Sequence, residues 1–192
     1  MRLLMLIGAL LVSGAAAPAV AGPLEDADAA YDRGDYATAL RLWRPLAEQG
    51  YANAQFALGI VYANGQGVPQ DYAAAVLWFR MAAKQGDDRA QFNLGTMYDK
   101  GKGVPQNYAT AVSWYREAAE QGHVKAQFNL GTMYDNGEGV PQDYVQAHVW
   151  FNLSAAQGDA NATKSRDIVA AKMTPAQIAE AQRLAREWRP KR

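Results

Sequence analysis

The chain has 192 residues, of which 49% are hydrophobic and 20% charged, with no cysteine and 19 basic against 19 acidic side chains. Without cysteine there is no disulfide framework and no lipid-modified N-terminal cysteine. The zero net charge argues against nucleic acid as a partner, because such binding rests on a basic field that is missing here.

The first segment reads as a leader. Met1-Arg2 is followed by an apolar run from Leu3 to Leu11 and by the small-x-small signal Ala19-Val20-Ala21, the layout of a secretory signal peptide over residues 1–21. The run is shorter than the about 20 residues a membrane span needs. Cleavage after Ala21 leaves 171 residues with a net charge of −1. The expectation is a periplasmic or secreted protein with no membrane span after signal cleavage.

From residue 35 onward a fixed period sets in. Asp35-Tyr36, Asp71-Tyr72, Asn107-Tyr108 and Asp143-Tyr144 recur every 36 residues, and the segments starting at Asp71 and Asn107 match at 25 of 36 positions. Self-similarity at this spacing marks stacked supersecondary units. Within one unit, Asp71 is a good N-cap, and Tyr72, Ala75, Phe79 and Ala82 form an apolar stripe at helical spacing. Gly86 suits the end of that helix. A shorter helix is predicted over about 88–100, with Ala90, Leu94 and Tyr98 on one face. Gly101-Lys102-Gly103-Val104-Pro105-Gln106 breaks it, since glycine frees φ and proline bars helix continuation.

Gly59, Gly95 and Gly131 fall mid-helix, where each costs roughly 1 kcal/mol against alanine; their recurrence predicts a neighbouring helix close enough to exclude a Cβ. Trp78, Trp114 and Trp150, with Tyr62, Tyr98 and Tyr134, are assigned to packing between units.

The pattern Ala-x-x-x-Leu-Gly-x-x-Tyr, Gly-x-Gly-Val-Pro, Ala-x-x-Trp and Ala-Ala-x-Gln-Gly resembles the Sel1-like repeat, a relative of the tetratricopeptide repeat. In that register the full repeats are about 52–87, 88–123 and 124–158, within 51–158. Residues 22–50, with Ala29-Ala30-Tyr31-Asp32-Arg33-Gly34-Asp35-Tyr36, resemble an N-terminal tetratricopeptide-type helical hairpin. Residues 159–192 hold a segment, Met173 to Trp188, similar to the C-terminal capping helices of bacterial members, then a basic tail, Arg189-Pro190-Lys191-Arg192, read as a solvated end. The resemblance implies an all-α fold, an α/α superhelical solenoid of Sel1-like, tetratricopeptide-type hairpins closed by C-terminal capping helices.

Catalytic patterns are scarce. His123 falls at a helix break and His148 on a packed helix; with no cysteine they make no zinc spacing. Ser113, Ser154 and Ser165 lack a nucleophile-elbow context. The Gly-x-Gly-Val-Pro loops are not followed by Lys-Ser/Thr, so no phosphate cradle is supported. Some cysteine-rich Sel1-like relatives are described as β-lactamases, but this chain has neither their cysteines nor a Ser-x-x-Lys. No catalytic residue, metal ligand or cofactor is assigned.

A helical wheel puts Arg89, Asn93, Thr96 and Lys100 opposite the packed stripe of the shorter helix, with Lys125, Asn129, Thr132 and Asn136 one unit later. In the resembled superfamily the first helix of each unit lines a concave groove, so this ribbon is the candidate surface for a protein or peptide partner. Carboxamides both donate and accept, which suits an extended backbone. A helix face that merely meets water shows the same residue types. The expected function is a non-catalytic protein–protein interaction scaffold. The alternatives are a cell-wall-directed hydrolase and a glycan or peptidoglycan-fragment binder. The second would expose Phe56, Phe92 and Phe128 in the groove.

Overall fold

The computed structural model describes residues 22–191; the proposed leader, 1–21, lies outside them, as does Arg192. Ten helices follow one another, with no strand among the described residues: α1 (Pro23–Asp32), α2 (Tyr36–Glu48), α3 (Ala52–Asn64), α4 (Tyr72–Ala83), α5 (Asp88–Lys100), α6 (Tyr108–Glu120), α7 (Val124–Asn136), α8 (Tyr144–Ala156), α9 (Ala160–Ala170) and α10 (Pro175–Glu187). Consecutive helices pack as antiparallel neighbours from α1 through α9, and α10 folds back onto α8. The α/α solenoid is therefore the fold.

Local chemistry sets the boundaries. Asp35, Asp71, Asn107 and Asp143 each accept a hydrogen bond from the backbone N–H three residues on, satisfying donors that a helix start leaves open. Gly65, Gly101 and Gly137 close α3, α5 and α7 in the left-handed conformation, which glycine adopts without strain. At Gly103, φ is +70° and a Cβ would run into the Tyr72 backbone, so each such loop seats on the start of the preceding unit's second helix.

The mid-helix glycines have a definite neighbour. A Cβ on Gly59 would lie 2.5 Å from the Phe79 ring, on Gly95 2.7 Å from Tyr115, and on Gly131 2.8 Å from Phe151. What excludes the Cβ is an aromatic ring of the unit's own second helix. Each ring is 2% exposed or less, so the helical cost of glycine is offset by burying a whole aromatic side chain, worth roughly 1.5–3 kcal/mol.

Two polar ladders join the units. Gln55, Gln91 and Gln127 are buried and donate to the carbonyls of Ala47, Ala83 and Ala119. Their own Oε1 atoms accept from Gln85, Gln121 and Gln157 of the following turn at 2.8, 2.7 and 2.9 Å. Arg44, Arg80 and Arg116 donate to the hydroxyls of Tyr62, Tyr98 and Tyr134. Those tyrosines, with half-buried Trp78 and Trp114 and buried Trp150, pack between units.

The C-terminal tail is solvated, as expected, but it is tethered rather than free. Lys191 donates its backbone N–H to the Glu120 carbonyl at 2.8 Å, and its Nζ pairs with the Glu120 carboxylate at 2.6 Å. Trp188 packs onto the core under α10 and reaches Gly122. A four-residue basic segment has no periodicity of its own, and only the position of Glu120 fixes it.

Candidate functional site

The first helices α3, α5 and α7 form one row, and α1 and α9 extend it at the two ends. α3 and α5 touch each other directly, so first helices of successive units are neighbours in this row. The packed stripe of each helix turns toward its partner, leaving the opposite stripe open.

Three clefts lie along the row. The first, about 370 Å³, is lined by Asp28, Tyr31, Asp32, Trp43, Asn53, Phe56, Ala57, Ile60 and Arg89. The second, about 600 Å³, lies between α3, α5 and α7 and includes Phe56, Arg89, Phe92, Asn93, His123 and Lys125. The third, about 160 Å³, brings together Asp99, Lys100, Tyr115, Asn129, Thr132 and Glu138.

Six of the eight ribbon residues thus line a cleft. Arg89 and Asn93 meet Lys125 in the second, while Lys100 meets Asn129 and Thr132 in the third. Thr96 and Asn136 line none of the three. Thr96 donates back to the Phe92 carbonyl, and Asn136 donates to Glu138. Asn93 Nδ2 donates to the Arg89 carbonyl at 2.7 Å. Its Oδ1 has no partner among the described residues and can accept.

Arg89 is heavily committed. Its guanidinium meets the Asp87 carboxylate at 2.6 Å and Asn53 Oδ1 at 2.7 Å, and stacks 4.4 Å over the Phe56 ring. Hydrogen bonding to Asp87 holds its pKa above the ordinary arginine value. It therefore acts more as a rigid wall than as a free cation.

Both histidines are packed into the fold. His123 caps α7, its Nδ1 accepting from the Ala126 N–H at 3.2 Å, and its ring stacks 4.7 Å from Phe92. Burial lowers its pKa, which keeps the neutral form that this cap requires. His148 is 3% exposed, and its Nδ1 has no hydrogen-bond partner among the described residues. Phe56, Phe92 and Phe128 are half-buried: Arg89 covers the first, His123 the second, and the third leans on Phe151. The exposed rings of a sugar platform are therefore not what the groove offers.

Two floor residues went unread in the sequence. Tyr115 replaces phenylalanine at the register shared by Phe79 and Phe151. Its hydroxyl lies 3.2 Å from Thr96 Oγ1 and 3.3 Å from Asp99 Oδ2, and burial pushes its pKa up to about 12. Trp43 holds the same register one unit before Phe79 and donates its indole N–H to Asp28 at 2.9 Å. The visible signal was the series Trp43, Phe79, Tyr115, Phe151, each 36 residues apart.

Among the described residues no group of three or more His, Cys, Asp or Glu is placed to hold a metal ion, and no helix is long and apolar enough to cross a membrane.

The Sel1 repeat model matches residues 28–51, 52–87, 88–123 and 124–159. None of the curated proteins matches the chain. Among solved structures, a Sel1 repeat protein from Oxalobacter formigenes is 34% identical, with a TM-score of 0.73 over 76% of this chain and 60% of its own. The protein c5321, described as a protective antigen present in uropathogenic Escherichia coli strains and displaying an SLR fold, is 30% identical, with a TM-score of 0.62 over 86% of this chain and 44% of its own. The chain thus spans less than two thirds of the length of either solved protein. Proteins built of Sel1 repeats are generally protein–protein interaction scaffolds rather than enzymes. With its repeats matched over most of its length, the chain belongs to the Sel1 repeat family.

Proposed function

We propose that the chain is a non-catalytic scaffold that holds an extended segment of a protein partner along the row of first helices. The observation that carries this is the run of clefts down one face, with Asn93 and Asn129 at the rims of the second and third. Carboxamides flanked by Lys100 and Lys125 offer donors and acceptors to a peptide backbone without demanding one sequence. The leader-like segment at 1–21 supports work outside the cytoplasm, and cleavage after Ala21 should be visible in the intact mass of the mature protein.

The test replaces Asn93 and Asn129 together with tryptophan. Both are half-buried on an outward stripe, so helical circular dichroism should be unchanged while capture of partner protein from extract is lost. Capture that survives with intact helicity would place the binding surface elsewhere.

A further inference from the structure

The first cleft is the one that α1 contributes to, and its lining is both apolar and charged. Its floor is apolar: Ala57, Ile60, the half-buried ring of Phe56 and the edge of Trp43. One wall is α1, where Asp28 and Asp32 stand one turn apart, the i, i+4 spacing that puts both on one face. The opposite wall is Asn53 with Arg89.

We infer that this cleft is a subsite for a lysine or arginine side chain of the bound polypeptide. The inference rests on the groove reading above. An alkyl stem of three or four carbons matches the apolar floor, and a terminal cation meets the two carboxylates, a division of labour that long basic side chains use routinely. Neither Asp28 nor Asp32 is ion-paired among the described residues. Arg89 attracts Asp28 through space but forms an ion pair with neither carboxylate, because its guanidinium is bonded to Asp87 and Asn53. Two carboxylates against one committed guanidinium leave the cleft net negative, so an anionic ligand is disfavoured and an apolar one would leave the carboxylates without an ion-pair partner.

The placement of Asp32 adds weight. It is the last residue of α1 and exposed, where a negative charge opposes the helix dipole. Local stability prefers a neutral or basic residue there. A ligand cation supplies the counter-charge that the fold does not.

Asp28 marks where the first unit departs from the later ones. The first unit has a short turn in place of the Gly-x-Gly-Val-Pro loop, so its first helix aligns with α3 by a shift of 31 residues: Tyr31 matches Tyr62, and Asp28 matches Gly59. Where later units set a glycine against an aromatic ring, this one sets a carboxylate against an indole N–H. That bond holds Asp28 at the rim of the cleft.

The indole N–H of Trp43 gives a local readout. In the full mature chain, its ¹H–¹⁵N resonance, assigned with Trp43→Phe, is followed during titration with N-acetyl-arginine amide, N-acetyl-lysine amide, N-acetyl-norleucine amide and putrescine. The two basic derivatives should shift it saturably at millimolar concentration, with affinity falling about fivefold in Asp32→Asn, and the norleucine derivative should not. Absence of a saturable shift, or an equal response to norleucine, overturns the subsite. Tighter binding of putrescine than of either capped residue also overturns it, in favour of a free-diamine site. Capped single residues are too short to reach Asn93 or Asn129. A failed titration beside intact partner capture would sink the subsite alone. A successful titration beside capture insensitive to the ribbon would sink the groove reading instead.

Discussion

The N-terminal unit and the interior units place different residues at the same register. In the interior, Gly59, Gly95 and Gly131 receive the rings of Phe79, Tyr115 and Phe151. At the N-terminal end, Asp28 faces Trp43 and accepts its indole N–H. The interior pairs leave no room for a Cβ, and only Tyr115 among their rings also reaches a cleft, through its hydroxyl end. The terminal pair is a polar contact opening onto a cleft. The repeat dictates where helices and loops go, and departures from it show where side chains are free to do something else.

Exchanging the two solutions should be strongly asymmetric. Gly59→Asp drives a Cβ to within 2.5 Å of the Phe79 ring and buries a carboxylate; overpacking and an unpaired buried charge together should cost about 4 kcal/mol in chemical denaturation. The reverse change, Asp28→Gly, loses one hydrogen bond and adds a helical glycine, for about 2 kcal/mol. Equal losses would mean that the interior glycines are not there for packing.

The next test concerns His148, which stands where the second and third units carry Val76 and Val112. Burial, then the charge of Arg166, lowers its pKa below the ordinary 6.5, with Asp167 opposing. The unfolded chain therefore binds the proton more readily than the folded one. Stability is full above about pH 6.5 and falls as the pH drops through the folded-state value. His148→Val restores the repeat's residue and should flatten this acid limb, leaving the share due to His123. An unchanged limb would show that His148 does not sense the buried environment.

The smallest effect belongs to Tyr115→Phe, which restores the Phe79 and Phe151 solution. Losing the hydroxyl contacts with Thr96 and Asp99 should cost about 1 kcal/mol, measured by thermal denaturation. A stabilised variant would indicate that the third cleft keeps its polar floor at the expense of stability.

How much of this was legible in the sequence follows from the same contrast. Wherever the 36-residue period runs, local chemistry suffices: Asp71 and Asn107 as caps, Gly101 as terminator, and α5 over Asp88–Lys100 as expected. That Asn93 lies on the side of α5 away from buried Leu94 was legible too, because a helical wheel finds that face. The first cleft was not. Asp28 is hidden by the 31-residue shift, and Asp32 joins Arg89 only through the packing of α1, α3 and α5. The glutamine ladder was missed because a repeated glutamine looks like a solvated residue until a buried carbonyl such as that of Ala83 is placed beside it.

Backbone hydrogen exchange on the complex with a captured partner tests the central claim most directly. Binding along the first helices predicts slowed exchange in residues 52–64, 88–100 and 124–136, with 72–83 and 108–120 unchanged. Protection concentrated on α4 and α6 instead would put the partner on the outer face and contradict the account.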